Sequence, residues 1–213
     1  ERAVRAARRA FDAGKWSGMA PVARERLLLK VADLIEAHAE ELAQLETLDN
    51  GKTLFESRNV DIPAAAETFR YYAGWPTKIE GATIPAAPQG RRPGEVLSFT
   101  LREPLGVVGA ITPWNAPLPM LMVKLAPALA AGCTIVAKPA SEAPVSTIGL
   151  AQLIDEAGFP PGVFNVVTSE NPAELGDMLT GDPRVDVISF TGSTGVGKHI
   201  MARAAQTVKK VFL

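Results

Sequence analysis

The second half of the chain alternates short apolar runs with helix-forming segments, and this alternation constrains the fold most. The apolar runs are Val107–Ile111, Thr134–Ala137, Val163–Val167, Val185–Phe190 and a last run from Val208. The helical segments between them are 117–131, 144–157, 172–180 and 194–206. Fully apolar runs bounded by Gly and Pro are typical of parallel strands that are buried on both faces. The alternation therefore predicts an α/β fold with a doubly wound, Rossmann-like parallel sheet.

The first half of the chain is predicted to be helical. Residues 1–14, roughly 21–50 and about 61–75 have helical periodicity. In the second stretch Leu27, Leu28, Val31, Leu34 and Ile35 recur at a spacing of three to four residues. Asn50-Gly51 is a typical end of such a helix. The sequence thus predicts a set of N-terminal helices that precede the sheet.

Residues 76–95 are rich in Pro and Gly and break any helix. They are followed by Val96–Arg102, in which apolar and polar residues alternate as in a strand with one exposed face. We therefore predict a hairpin arm over 82–103 that leaves the main body of the protein. The main body then consists of residues 1–81 and 104–213.

Composition excludes several classes of function. The 22 basic and 23 acidic residues nearly cancel, so neither a nucleic acid nor a membrane is an expected partner. The basic cluster in residues 2–9 is interleaved with alanine and is interpreted as a solvated helix face, although a nucleic-acid patch is an alternative. No segment has the length and hydrophobicity of a transmembrane helix or a signal peptide. The single cysteine, Cys133, cannot form an internal disulfide, which favours the cytoplasm.

The chain begins in a helical pattern and stops in a strand-like one, so we expect a longer parent protein.

Two of the apolar runs end in side chains that could carry chemistry. Asn115 follows the first run between two prolines, and its carboxamide could donate to a developing oxyanion. A turn asparagine bonded to its own backbone is the alternative. Lys138 ends the second run, where it could reach ribose hydroxyls or a phosphate. A surface lysine that extends to solvent is the alternative for this position.

The fourth run leads into a glycine-rich turn, Phe190-Thr-Gly-Ser-Thr-Gly-Val-Gly197, which we expect to hold the pyrophosphate of a dinucleotide at a helix N-terminus. The glycines are spaced G-x-x-G-x-G, which differs from the Rossmann fingerprint. Gly192–Lys198 matches a P-loop except that His199 stands where Ser or Thr normally holds Mg²⁺. A P-loop and a purely structural turn are therefore alternatives.

Four linked segments together resemble the NAD(P)-dependent aldehyde dehydrogenase superfamily. They are T-P-W-N at 112–115, V-A-K-P at 136–139, E-A-G-F-P-P-G-V-F-N-V-V at 156–167 and F-T-G-S-T-x-x-G at 190–197. Their order and separations fit the family over nearly the whole chain. The resemblance implies oxidation of an aldehyde to a carboxylic acid in a parent enzyme, with NAD or NADP as cofactor and no metal.

The resemblance also assigns roles to the residues at the strand ends. Asn115 would be catalytic, donating to the oxyanion of a thiohemiacetal. Lys138 would bind the adenosine ribose, Gly192 and Ser193 the pyrophosphate, and Val196 would flank the adenine. The remaining residues implied to contact the cofactor are Ile111, Thr112, Pro113 and Trp114 on the nicotinamide side, Phe190, Gly195 and Gly197 in the turn, and Ser141.

Ser141 stands where many NAD-preferring relatives carry a glutamate. A carboxylate there binds the 2′-hydroxyl and repels a 2′-phosphate, and a serine removes that repulsion. We therefore predict that NADP is tolerated, although the neighbouring Glu142 weakens the prediction. The resemblance further implies that the 82–103 arm serves oligomerisation and that the parent is a homodimer or homotetramer.

The family reaction also needs a cysteine thiolate and a glutamate base, which in the family follow a segment like Val208–Leu213. We therefore expect the catalytic domain to be absent from this chain, which alone would be inactive. Cys133 lies at the opposite end of its strand from Lys138 and is interpreted as a small buried hydrophobic residue. The alternatives to the parent enzyme are a non-catalytic nucleotide-binding module and a P-loop nucleotide hydrolase.

Overall fold

The fold was analysed in a computed structural model, which describes residues 1–85, 89–90, 92 and 94–213. Helices make up the first part of the chain, as predicted. They are α1 (Arg2–Asp12), α2 (Pro21–Ala37), α3 (Ala39–Asn50), a single turn α4 (Leu54–Glu56), a π-helical turn (Ser57–Asp61), α5 (Ile62–Ala73) and a short 3₁₀ turn (Pro76–Lys78). The π-helical turn joins α4 and α5 without a break, so the segment predicted at about 61–75 starts earlier than its periodicity indicates.

The stretch predicted as helical over roughly 21–50 consists of two helices. His38 has φ −104° and ψ 20°, which ends α2, and the Leu42 N–H donates to the His38 carbonyl at the start of α3. A break of one residue leaves the apolar spacing on either side intact, so periodicity could not locate it. The end of α3 was predicted correctly, because Gly51 adopts the left-handed conformation with φ 80°.

A two-stranded antiparallel hairpin follows the helices. Strand β1 (Thr83–Ile84) pairs with β2 (Ser98–Phe99). The predicted strand over 96–102 is therefore much shorter than expected. Its outer residues alternate in polarity, but they have no neighbouring strand to pair with in the described part of the chain. Residues 86–88, 91 and 93 of the predicted arm lie outside the described residues.

The remaining elements alternate between strand and helix, as the sequence pattern predicts. They are β3 (Val107–Ile111), α6 (Pro117–Ala131), β4 (Thr134–Lys138), α7 (Val145–Ala157), β5 (Phe164–Val166), α8 (Pro172–Gly181), β6 (Val187–Phe190), α9 (Thr194–Ala205) and β7 (Lys210–Phe212). The five strands form one parallel sheet in the order β5-β4-β3-β6-β7. The strand order reverses direction at β3, so the crevice between β3 and β6 is the topological switch point.

Helices cover both faces of this sheet. Helices α6 and α7 pack on one face together with α2, α3 and α5, whereas α1, α8 and α9 pack on the other. Strand β3 shows the division, since Val108 and Ala110 belong to the core of the first face and Val107 and Ile111 to that of the second. The prediction of a doubly wound α/β sheet is confirmed.

Strand register brings the predicted strand ends into one row. Ile111 of β3 pairs with Lys138 of β4 on one side and with Phe190 of β6 on the other. Because the strands are parallel, all three residues lie at the carboxyl edge, where ligands bind in open α/β sheets. Within the described ranges, no helix is long and apolar enough to cross a bilayer.

Candidate functional site at the carboxyl edge of the sheet

A cavity of about 700 Å³ opens at this edge, between the ends of β3, β4 and β6 and the helices α8 and α9. Most of the predicted site residues line it, namely Ile111, Thr112, Pro113, Trp114, Lys138, Ser141, Phe190, Gly192, Ser193, Gly195 and Val196. Its volume is within the range of pockets that bury small molecules and cofactors. The structure thus brings three separated segments of sequence together around a single space.

Two of the predicted residues do not line the cavity. Gly197 is buried behind the turn, where a side chain would contact Leu213 and Phe190. These would be ordinary contacts of 3.6–3.7 Å, so Gly197 belongs to the packing of α9 against Leu213 and Phe190 and not to the cavity wall. Asn115 lies just beyond Trp114 and is exposed. Its carboxamide makes no hydrogen bond to any residue that the structure describes.

The glycine-rich turn presents the N-terminus of α9 to the cavity. Ser193 caps the helix, with its Oγ accepting from the Val196 N–H over 3.4 Å. The N–H groups of Thr194 and Gly195 have no acceptor within the described parts of the chain. Such N–H groups, aligned with the positive end of the helix dipole, favour a bound anion. A β-carbon on Gly192 would lie 2.5 Å from the Phe190 ring, so the turn requires glycine at this position.

Lys138 supplies a buried cation at the opposite wall. Burial lowers the pKa of its ammonium group, and the nearby Glu142 carboxylate opposes that effect. Its Nζ has only a long contact of 3.5 Å, to the carbonyl of Pro139. An ammonium group has three N–H donors, and this one has a single long contact within the described structure. It can therefore donate hydrogen bonds to a ligand in the cavity.

The hydroxyl groups of Thr112 and Ser141 differ in whether they form a hydrogen bond within the protein. Thr112 is buried, and its Oγ1 has no hydrogen-bond partner among the described residues. Ser141 is exposed at the rim, where its Oγ donates to the carbonyl of Ser169 over 3.0 Å. Thr112 is therefore a second unsatisfied polar group on the cavity wall, whereas Ser141 is held toward the loop after β5.

Sequence reasoning missed the wall that α8 contributes. Pro172, Ala173, Gly176 and Asp177 all line the cavity, and Asp177 Oδ1 lies 2.6 Å from Nε2 of His199 on α9. This contact bridges the two helices across the cavity mouth. The only signal in the sequence was Asn171-Pro172, which starts α8 with the Asn171 side chain accepting from the Glu174 N–H.

Lys124 was also missed. It is the single charged residue of α6, and it is buried against the back of the turn that follows β6. Its Nζ lies 2.8 Å from Thr191 Oγ1 and 3.3 Å from Ser189 Oγ, and burial lowers its pKa. A lysine within an otherwise apolar helix was the signal that could have found it.

Cys133 is buried, as predicted, at the amino end of β4. Burial raises the pKa of its thiol, which opposes formation of a nucleophilic thiolate. Lys198, the lysine of the P-loop alternative, is exposed and does not line the cavity. No cluster of three or more potential metal ligands occurs in the part of the chain described by the structure.

The doubly wound parallel sheet, with a cavity and a helix N-terminus at its carboxyl edge, defines a Rossmann-like α/β domain. The sequence matches the aldehyde dehydrogenase family over residues 1–213, and the chain belongs to that family. It is 54% identical to a putative aldehyde dehydrogenase, DhaS, of Bacillus subtilis and 46% identical to phenylacetaldehyde dehydrogenase of Pseudomonas fluorescens. The two alignments cover 100% and 99% of this chain but only 42% of each relative, so the chain spans about two fifths of their length.

Solved structures give the same result. The NAD⁺ complex of an aldehyde dehydrogenase from Bacillus cereus superimposes with a TM-score of 0.92 at 50% identity, covering 98% of this chain and 41% of that one. Betaine aldehyde dehydrogenase from Staphylococcus aureus, also in complex with NAD⁺, superimposes with a TM-score of 0.92 at 43% identity and covers 99% and 40%. The resemblance inferred from the four sequence segments is confirmed at the level of the family and the fold.

Proposed function

We propose that the complete protein containing this chain oxidises an aldehyde to a carboxylic acid with NAD or NADP, and that this chain is its cofactor-binding part. The observation that carries the proposal is the row of Ile111, Lys138 and Phe190 at the edge of a cavity into which the N-terminus of α9 points. Family membership and the NAD⁺ bound in two structural neighbours support it.

The residues present fit a dinucleotide. The N–H groups of Thr194 and Gly195 would hold the pyrophosphate together with Ser193, and Gly192 leaves room for it. Lys138 would donate to the ribose hydroxyls of the adenosine, and Val196 would lie against the adenine. Bound cofactor would supply the hydride acceptor of the reaction. The segment Ile111–Trp114, which ends in the exposed Trp114 ring, would line the side on which that acceptor lies.

Asn115 is proposed as the oxyanion donor. It follows β3 directly, and Pro113 and Pro117 restrict the backbone on either side of it. Its carboxamide lacks an internal partner in the described structure and so needs no rearrangement to donate to a substrate oxygen. The thiolate nucleophile and the carboxylate base of the proposed reaction would come from other parts of the complete protein, because burial and a raised pKa make Cys133 unsuited to attack.

The proposal is tested by mixing the purified complete protein with NAD⁺ and a panel of aldehydes and following NADH absorbance. Aldehyde-dependent NADH formation is expected. Replacing Asn115 by Ala should lower kcat by about 10²–10³, the cost of losing one oxyanion donor, with cofactor affinity retained. Cofactor binding without turnover of any aldehyde would favour a non-catalytic module. Mg²⁺-dependent ATP hydrolysis would favour the P-loop alternative.

The hairpin is proposed to be an oligomerisation arm. Its side chains Ile84, Leu97, Phe99 and Leu101 are exposed and apolar, which is unusual for a surface that stays in water. Residues 1–81 and 104–213 would then form the cofactor-binding domain, with 82–103 contacting a second copy in a homodimer or homotetramer. The cytoplasm is the proposed location, on the basis of the single reduced cysteine.

A further inference from the structure

His199 stands where a P-loop carries Ser or Thr, and the proposed function gives it no role. In the structure its imidazole lies on the wall of the cavity, and its Nε2 is 2.6 Å from Oδ1 of Asp177, which also lines the cavity. A carboxylate only accepts hydrogen bonds, so Nε2 carries a proton and donates it to Asp177. The pair therefore joins α8 to α9 at the cavity wall.

Stability does not account for this pair. The side chains of His199 and Asp177 are 57% and 47% exposed. Contacts between groups as exposed as these contribute little to folding, because water competes for both partners. A polar pair on the wall of a ligand-sized cavity is better explained by contact with a ligand.

The two side chains are the polar part of an otherwise apolar crevice between α8 and α9. The other described residues that these two helices contribute to the cavity wall have apolar side chains or none. They are Pro172, Ala173 and Gly176 from α8, and Gly195, Val196 and Ile200 from α9. A crevice of this composition suits an aromatic ring, and a small number of polar groups in an apolar site provides specificity.

Helical spacing gives the position of the pair within the crevice. Val196 and His199 are three residues apart and share one face of α9, while Ala173 and Asp177 are four apart and share one face of α8. His199 is thus one helical turn (roughly 5 Å) further than Val196 from the anion-binding start of α9. A base that lies against Val196 would have its far edge near Asp177 and His199.

Asp177 retains an acceptor for that edge. His199 occupies its Oδ1, and no described residue makes a hydrogen bond to its Oδ2. Adenine carries an amino group at its edge, which donates hydrogen bonds. Hypoxanthine has a carbonyl oxygen in the same place. A carboxylate attracts the amino group and repels the carbonyl oxygen, so it can discriminate between the two bases.

We propose that Asp177 is a specificity residue for the base of the cofactor: its carboxylate accepts a hydrogen bond from the amino group of adenine. His199 is a positioning residue, which holds that carboxylate by donating to its Oδ1. The inference rests on the proposed function, in which the pyrophosphate lies at the start of α9 and Val196 lies against the adenine. It adds recognition of the adenine edge to that function.

The test compares two dinucleotides bound to the complete protein. They are NAD⁺ and nicotinamide hypoxanthine dinucleotide, in which a carbonyl replaces the amino group, and isothermal titration calorimetry gives both dissociation constants without turnover. Wild type should bind NAD⁺ about tenfold more tightly, because the analogue loses a hydrogen bond to a charged acceptor. In Asp177→Ala this preference should fall below about twofold. Equal affinities in wild type, or a preference that survives in Asp177→Ala, would overturn the inference.

Two variants of His199 test its positioning role. His199→Phe keeps a flat ring but cannot donate to Asp177, so the preference for NAD⁺ should fall to about threefold. His199→Gln carries an amide nitrogen in place of Nε2 and should retain most of the preference. A wild-type preference in His199→Phe would overturn the role of His199, as would an equal loss in both variants.

Glu174→Gln is the matched control. It removes a carboxylate from the same helix, where Glu174 accepts from the Asn171 side chain and does not line the cavity. The preference for NAD⁺ should stay within about twofold of wild type, because no contact with the base is lost. A fall as large as that in Asp177→Ala would show that the overall charge of α8 sets the preference and would contradict a contact with adenine.

The same titrations distinguish failure of this inference from failure of the proposed function. Absence of binding of either dinucleotide to wild type would contradict the cofactor-binding role and the role of Asp177 together. Binding of NAD⁺ without preference over the analogue would overturn the role of Asp177 alone. Asp177→Asn is the second variant if Asp177→Ala does not accumulate. Its amide can donate to a carbonyl as well as accept from an amino group, so the preference should fall below about threefold.

Discussion

Lys124 Nζ lies 2.8 Å from Thr191 Oγ1, which ties α6 to the turn that follows β6. The ammonium group is buried, and its second contact, to Ser189 Oγ, is longer at 3.3 Å. The pair therefore links the helix that begins just after Asn115 to the turn that begins just before Gly192. Burial lowers the pKa of Lys124 because it disfavours the charged form of the ammonium group. The hydrogen bonds to the two hydroxyl groups offset part of that desolvation.

Thr191→Val should destabilise the protein by about 1–3 kcal/mol, because it leaves a buried ammonium group with a single weak partner. Lys124→Met in the Thr191→Val background should cost less than Lys124→Met alone, since the hydroxyl it would orphan is already gone. Denaturant unfolding of wild type, the two single variants and the double variant gives the free energies of unfolding from which both effects are calculated. Additive effects would show that the two side chains contribute independently and would refute the link.

Glu46 should make stability depend on pH. Its pKa is raised to about 7 in the folded protein, above the usual 4.5, so the folded state binds more protons than the unfolded state between these values. Stability from this group therefore falls as pH rises through that window, by up to roughly 3 kcal/mol. Comparing the melting temperatures of wild type and Glu46→Gln from about pH 5 to about pH 8 tests this, because the variant should gain relative stability as pH rises. A constant difference would contradict it.

Two glycines should respond in opposite directions to alanine. Gly106 has φ +127°, and a β-carbon there would collide with the Asp186 carboxylate, which accepts from the Val107 N–H over 2.7 Å. Gly106→Ala should therefore destabilise the protein by more than about 1 kcal/mol. Gly149 lies within α7, where a β-carbon would make ordinary contacts of 3.5–3.6 Å with Leu42 and Leu45.

Gly149→Ala should stabilise the protein by about 0.5–1 kcal/mol through helix propensity. The pair of variants provides its own control, since both add one methyl group to a glycine of the same domain. Thermal unfolding of both variants under the same conditions shows which one loses stability and which one gains it relative to wild type. A loss of stability in Gly149→Ala would indicate that the contacts to α3 are tighter than the structure shows.

Ser141 should set part of the cofactor preference. It lies at the rim of the cavity near Lys138, and no carboxylate stands at its position. We expect NADP to bind within about a hundredfold of NAD, and Ser141→Glu to weaken NADP by at least tenfold more than NAD through charge repulsion. Fluorescence titration with both cofactors measures this. Ser141→Gln, of similar size but uncharged, should lose less NADP affinity than Ser141→Glu; equal losses would indicate crowding instead of charge.

The order of strands and helices was determined by local sequence. Runs such as Val107–Ile111 are apolar because a parallel strand is buried on both faces, and Gly and Pro mark where each run ends. For that reason the bounds of β3 and α6 agree with those predicted. The positions of Lys138 and the turn at Gly192 were predicted for the same reason, since a strand end is a local property.

The tertiary structure alone decided which strand ends meet. The sheet order places β6 beside β3, so that Phe190 and Lys138 flank Ile111, although they are distant from it in sequence. It also placed α8 opposite the turn and brought Lys124 to Thr191. These contacts join residues far apart in the chain, and their partners are selected by the packing of whole helices on a sheet. Local patterns of hydrophobicity carry no information about such pairs.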